Sequence, residues 1–326
     1  MKEKILTLLL ETKEHISGQE LCERFGVSRT AVWKVVHQLQ EDGYKIEAIR
    51  NKGYRLVSVP DRILPQQIRR ELHTRWAGVN LICLKEIDST NNEAKRLAEN
   101  GTAGHGTLVV SELQTAGKGR RGRGFISPEG CGIFMSLVIK DEIRPERASM
   151  LTLVMGLAVQ QAIKNLTDLK PQIKWPNDIV VNGKKLCGIL TEMSIQEDYI
   201  SHIVIGTGVN VNNESFPEEL KELATSVYME TGKKVSRCEM IAEIMRCFEA
   251  DYEKYLPTQD LRELINEYNA VLINRGRTVR VLDPREPYSG TALGIRDDGE
   301  LMVETEDGVR VVSAGEVSVR GVYGYV

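Results

Sequence analysis

The chain has 326 residues, which at roughly 100–200 residues per domain points to two or three domains; with 41% hydrophobic and 27% charged residues it has the composition of an ordinary globular protein, which excludes a disordered or fibrous chain. The longest uncharged stretch, Ala148 to Ile163, is interrupted by Ser149, Thr152, Gln160 and Gln161 and falls short of the about 18–20 apolar residues of a membrane span; the N-terminus lacks a signal-peptide pattern, so a cytoplasmic protein without a membrane partner is expected. The net charge is −3, but residues 1–59 carry ten Lys or Arg against eight Asp or Glu, leaving the rest of the chain acidic.

Lys4 to Glu11 reads as a first helix. Ser17-Gly18-Gln19-Glu20 is a capping box that opens a second helix reaching Phe25, and Gly26 stops it. Ser28 caps a third helix in which Val32, Val35, Val36 and Leu39 recur at helical spacing, turning Arg29, Thr30, Trp33 and Lys34 outward. Tyr44 to Glu47 and Tyr54 to Val57, joined through Arg50-Asn51-Lys52-Gly53, read as a two-stranded wing. Between Arg24 and Arg55 seven basic residues stand against three acidic ones, and basic segments attract phosphate. A winged helix-turn-helix that binds DNA is expected, with Ser28, Arg29, Thr30, Lys34, Arg50 and Lys52 as contacts. The alternative is a purely structural helical cap with a solvated charged face. Val59-Pro60-Asp61 ends the pattern, which places the first domain at 1–62, followed by domains at 63–270 and 271–326.

In the second segment, Leu81 to Ile87 is a strand candidate leading to Asp88-Ser89-Thr90-Asn91. Thr90 with Glu93 is a capping box, so Ser89 and Thr90 read equally as helix caps or as hydroxyls offered to a polar ligand at a helix N-terminus. A strand from Thr107 then runs, past Gln114, into Gly117 to Gly124, eight residues made of four glycines and four cations. Glycine lets backbone approach a ligand closely, and Arg and Lys neutralise phosphate. A dinucleotide-binding reading of Gly117-Lys118-Gly119-Arg120-Arg121-Gly122 fails because no helix follows; a P-loop fails because Gly119 stands where Ser or Thr is needed. An unstructured nucleic-acid-binding segment is the remaining rival to an ordered anion-binding loop.

Ala148 to Asn165 reads as a core helix. Ile173-Lys174-Trp175-Pro176-Asn177-Asp178, the Asn182-Gly183 turn and Lys184 to Leu190 form a hairpin that would gather Lys174, Asp178 and Lys185 into a charged cluster. His202 to Val211, ending near Asn210, is another strand. Glu239 to Tyr268 reads as helical, and from Leu272 onward alternating short strands suggest a small β-barrel. The six cysteines and five histidines form no ligand spacing, so reduced thiols and no protein-held metal are expected.

The Asp88-Ser89-Thr90-Asn91 turn, the Gly117 to Arg123 loop, the Lys174 to Asp178 pentapeptide and Lys185-Leu186-Cys187-Gly188 together resemble the biotin protein ligases. With the helix-turn-helix, the chain looks like the bifunctional bacterial form, ligase and biotin operon repressor at once. The resemblance implies an α+β fold: a winged helix, a central ligase domain with a mixed sheet, and an SH3-like C-terminal barrel. It implies biotin and ATP with Mg2+ as substrates, biotinyl-5′-AMP as intermediate and corepressor, and a biotin carboxyl carrier domain of acetyl-CoA carboxylase, operator DNA and a second copy of the chain as partners. By motif position it assigns Ser89, Thr90, Asn91, Gln114, Lys118, Gly119, Arg120 and Lys185 to biotin, and Arg121, Arg123, Lys174, Asn177 and Asn210 to the nucleotide. Lys185, Arg120 and Asp178 are the catalytic candidates, and Trp175 and Leu186 are candidates for the wall around the acyl chain. The family's loop commonly has Arg where this chain has Lys118, which cannot make a forked contact. A lipoate-type ligase and a non-catalytic ligand-sensing repressor are the rival readings.

Overall fold

The computed structural model describes residues 1–49, 52–59, 61–196, 199–282, 286–313 and 318–321. The chain divides into two compact units after Asp61.

The first unit runs α1 (Lys2–Glu11), α2 (Gly18–Phe25), α3 (Arg29–Glu41), β1 (Lys45–Ile49) and β2 (Gly53–Ser58). Its caps are the ones the residues announce: Ser17 Oγ accepts from Glu20 N at 3.0 Å and Ser28 Oγ from Ala31 N at 3.2 Å. Gly26 ends α2 at φ 64°, a left-handed turn open to glycine at little cost. Ile5, Leu9, Leu21, Val32 and Leu39 bury the shared core. β1 and β2 pair antiparallel.

The second unit continues with α4 (Pro65–Glu71), β3 (Leu81–Ile87), α5 (Thr90–Glu99), β4 (Leu108–Gln114), β5 (Gly132–Ile139), α6 (Leu151–Leu166), β6 (Gln172–Lys174), β7 (Asp178–Val181), β8 (Lys184–Gln196), β9 (Tyr199–Asn210), α7 (Val227–Thr231), α8 (Arg237–Tyr255) and α9 (Ile265–Val271). Among the described residues, β3 to β9 form one sheet in the order β3-β4-β5-β9-β8-β7-β6. β3 and β4 run parallel and the other neighbours antiparallel, so the sheet is mixed. Every residue of β5 is buried because helices cover both faces. Leu108, Val110 and Leu137 face α6 and α8, while Val109, Val138 and Val204 meet Ala94 and Ala98 of α5. Alternation along each strand therefore feeds two separate cores.

The helix read over Glu239 to Tyr268 is broken. α8 stops at Tyr255 and α9 starts at Ile265; Leu256 keeps helical backbone at φ −57° and ψ −42°, and Pro257 just beyond it has no N–H to carry the helical ladder further. Beyond it, β10 (Thr278–Leu282), β11 (Tyr288–Ile295), β12 (Leu301–Thr305), β13 (Gly308–Val312) and β14 (Ser318–Gly321) make an antiparallel sheet in the order β13-β12-β11-β10-β14. The α+β architecture with a mixed central sheet and a C-terminal β-module matches the expectation.

Candidate functional site

The C-terminal end of β4, the N-terminus of α5 and the middle of β8 and β9 enclose a cleft of about 460 Å³. Ser89, Thr90, Asn91, Gln114, Lys118, Gly119, Arg120, Asn177 and Lys185 all line it. Strand ends and a helix N-terminus converging on one crevice are the common setting of ligand sites in α/β folds.

Thr90 is not the cap its spacing suggested. Ser89 holds the cap position without a side-chain bond, and the Thr90 hydroxyl turns into the cleft, 3.1 Å from Gln114 Oε1 and 2.8 Å from Ser136 Oγ. Asn91 is held on both ends: its Nδ2 donates to Glu192 Oε2 at 2.7 Å and to the Leu190 carbonyl at 3.2 Å, and its Oδ1 accepts from Ser136 Oγ at 2.6 Å. Burial raises the pKa of Glu192, but hydrogen bonds from Lys95 and Asn91 outweigh it and hold the carboxyl below its ordinary value. Glu192 was not found from the sequence.

The floor is made by glycine. Gly188 pairs with Gly208 and Leu190 with Gly206 across β8 and β9. A Cβ at Gly206 would lie 2.1 Å from Asn91 Oδ1, and one at Gly208 would lie 2.6 Å from the Phe125 ring. These positions are therefore closed to larger residues. Gly206-Thr207-Gly208, glycine at alternate positions of an apolar strand, was the available signal. Phe125, Met135, Ile189 and Leu190 supply the apolar lining. Trp175 and Leu186 do not, which corrects the wall assignment: both are at most 1% exposed, and the Trp175 indole donates to the Gly299 carbonyl at 3.1 Å. Their apolar character is spent in the core.

The basic glycine loop is an ordered hairpin over the cleft. Phe125 N donates to Gly117 O at 2.9 Å and Gly119 N to Arg123 O at 2.7 Å. Lys118 bridges Gly124, and Arg121 and Gly122 take φ of 58° and 72° at the tip. Lys118 Nζ donates to Asn92 Oδ1 at 2.6 Å. Arg120 turns inward, its Nη1 donating to Asn177 Oδ1 at 3.2 Å. Burial, then the neighbouring Arg121, pushes the Arg120 guanidinium below its ordinary pKa, with Asp178 opposing. Asn177 is itself fixed by Nδ2 donating to the Ile189 carbonyl at 3.1 Å. Opposite, Lys185 Nζ lies 2.6 Å from Asp178 Oδ1. A Cβ at Gly188 would stand 2.9 Å from that Nζ, so glycine there lets the ammonium lie over β8.

A second cavity of about 930 Å³ shares Arg120, Asn177, Ile189 and Leu190 with the first and adds Arg121 and the N-terminal end of α6. Arg123 is exposed and lines neither cavity, and Lys174 and Asn210 are buried away from both; Asn210 Nδ2 donates to the Thr225 carbonyl at 3.0 Å. The structure thus brings most of the expected residues together and leaves Arg123, Lys174 and Asn210 outside the walls, while Asp178 lines neither cavity and meets the cleft only through Lys185.

In the first unit, Arg29, Thr30, Trp33 and Lys34 form one exposed face of α3, and Lys52 is exposed before β2. Ser28 is exposed, and its hydroxyl caps the helix. Arg50 lies outside the described residues. No helix among the described residues is long and apolar enough to cross a membrane.

Comparison with known proteins gives three matches along the chain: an HTH domain over residues 2–55, the biotin/lipoate A/B protein ligase family over 83–210, and the biotin protein ligase C-terminal domain over 276–320. The bifunctional ligase/repressor BirA of Bacillus spizizenii is 41% identical over 94% of both chains. The protein of the same name from Escherichia coli is 29% identical over 97% of this chain and 96% of its own. Among solved structures, the biotin protein ligase of Aquifex aeolicus in complex with biotin and ATP superposes with a TM-score of 0.65 at 32% identity, covering 74% of this chain and 99% of that one.

Proposed function

This chain belongs to the biotin protein ligase family, in the group that carries an N-terminal helix-turn-helix domain, and on that premise we propose that it is an ATP-dependent biotin ligase and a biotin-responsive repressor. In the first step the biotin carboxylate attacks the α-phosphate of ATP. The bond from that phosphorus to the bridging oxygen breaks, and pyrophosphate leaves with the Mg2+ that came with the nucleotide. In the second step a lysine amine of a biotin carboxyl carrier domain of acetyl-CoA carboxylase attacks the acyl carbon, AMP leaves, and the nitrogen loses a proton.

The observation that carries this reading is that Arg120, from the loop, and Lys185, from the hairpin, line one cleft. Two anions must meet there, and fixed cations offset their repulsion and the charge that grows in the transition state. Glycine floor, apolar lining and the Thr90, Asn91 and Gln114 polar end suit a small acid with an apolar body and a hydrogen-bonding head. The wider cavity beyond Arg120 and Asn177 leaves room beside the reacting carboxyl for the larger reactants. Asp178 is already engaged by Lys185, so its role is to orient that ammonium, with proton removal left to solvent or another group.

DNA binding falls to the exposed face of α3 and to the wing, with biotinyl-5′-AMP as corepressor. A homodimer would set two recognition helices on two half-sites. A cytoplasmic location fits the use of ATP and cysteines kept as thiols.

One assay tests the reading. The protein is incubated with ATP and labelled biotin or labelled lipoate, with and without an acceptor domain. Labelled biotinyl-adenylate and biotin-labelled acceptor are expected. Label from lipoate alone would make it a lipoate-type ligase, and binding without adenylate would make it a ligand-sensing repressor only.

A further inference from the structure

Gln114 meets the lid on its free side. The backbone N–H of Thr90 lies 2.9 Å from one end of the Gln114 amide, and a backbone N–H can only donate, so that end is Oε1. Nε2 is thereby turned toward Ser127 and donates to its Oγ at 2.9 Å. Since Ser127 Oγ accepts there, its own proton is available for the Phe125 carbonyl, 3.0 Å away. Phe125 in turn donates its N–H to Gly117 O at 2.9 Å, closing the base of the loop that carries Arg120.

The junction is tight. A Cβ at Gly117 would stand 2.5 Å from the Phe125 carbonyl oxygen, 2.8 Å from Ser127 Oγ and 3.0 Å from Gln114 Nε2. Ser127 is 5% exposed, although it follows a loop whose residues from Arg121 to Gly124 are exposed. Its hydroxyl is thus a buried link between a wall residue of the cleft and the end of the loop, from which the Phe125 ring covers Gly208.

We propose that Ser127 is a positioning residue that ties the lid to the acid-binding cleft through Gln114. A ligand that holds Thr90 or Gln114 then also holds the Phe125 end of the loop, and loop closure in turn fixes the Gln114 amide. This deepens the ligase reading and rests on it.

The test compares wild type with Ser127→Ala in biotin-dependent pyrophosphate release and in the rate of trypsin cleavage at the loop cations with and without biotin. Loss of one neutral hydrogen bond predicts a biotin KM raised roughly three- to tenfold, with kcat changed less than about twofold. Biotin should protect the loop in wild type and fail to protect it in Ser127→Ala, with little change in melting temperature. Protection and KM equal to wild type would overturn the assignment. A parallel fall of kcat and melting temperature would also overturn it, by reducing Ser127 to a packing role. Wild-type turnover is read in the same experiment: its absence contradicts the ligase reading, whereas wild-type turnover with an intact lid response in the variant contradicts the Ser127 link alone.

Discussion

Lys185 Nζ and Asp178 Oδ1 lie 2.6 Å apart across a single hairpin, with side-chain exposures of 28% and 13%. The register of β7 against β8 shifts between Ile179 and Val180, so that Asp178 faces Gly188 while Val180 faces Lys185. The bulge and the glycine together let the ammonium reach back over the strand to the carboxylate. Asp178 therefore aims Lys185 at the cleft that Arg120 closes from the other side. Asp178→Asn should slow adenylate formation and lysine transfer by similar factors, measured as pyrophosphate release and as labelling of acceptor from preformed adenylate. A loss confined to transfer would instead make Asp178 the base for the incoming lysine.

Gly206 sets how close Asn91 comes to the sheet. Gly206→Ala puts a methyl 2.1 Å from Asn91 Oδ1, so one of the two must move. Overpacking of this kind costs about 1–3 kcal/mol. Urea unfolding should show that loss, together with a raised biotin KM, because the displaced Asn91 is on the cleft wall. An unchanged KM would separate Asn91 from ligand binding.

Much of this was legible in the residues. Caps and heptad-like spacing in the first unit placed α2 and α3, and the Gly117 to Gly124 composition and the Asn182-Gly183 turn located the lid and the hairpin. Chemistry concentrated in short segments survives as a pattern. The apolar half of the cleft did not, because Trp175 and Leu186 are indistinguishable in sequence from Phe125 and Ile189 until tertiary packing assigns some to the core and some to the cavity. Thr90 was similarly ambiguous: a hydroxyl three residues before Glu93 fits a cap, and only the proximity of Gln114, 24 positions away, turns it into the cleft. The break in the helix after Tyr255 was announced by Pro257 and lost beneath a long apolar periodicity.

Glu192 makes a pH-dependent contribution. Although burial opposes it, the hydrogen bonds from Lys95 and Asn91 hold its folded pKa below the ordinary 4.5. The folded state thus binds fewer protons there than the unfolded state, so the stabilisation is complete above pH 4.5 and declines as pH falls below it toward the depressed folded value. The stability difference between wild type and Glu192→Gln should be largest near neutral pH and shrink in acid. A difference that grew on acidification would contradict the sign.

Lys34 stands on the exposed face of α3. If it contacts phosphate, Lys34→Ala should weaken binding to duplexes of any sequence and lower the slope of log affinity against log salt by about one. Fluorescence anisotropy over a salt series reads this directly. An unchanged slope would remove Lys34 from the interface.

The proposed chemistry depends most on Lys185 as the cation that meets the carboxylate and the α-phosphate. The decisive measurement is formation of labelled biotinyl-adenylate from ATP labelled at the α-phosphate, by wild type and by Lys185→Ala at matched fold stability. Wild type should form it only with biotin present, and Lys185→Ala should form it more than tenfold more slowly, a loss of at least about 1.4 kcal/mol of transition-state stabilisation. Adenylate formed at the same rate by both proteins would contradict the central claim.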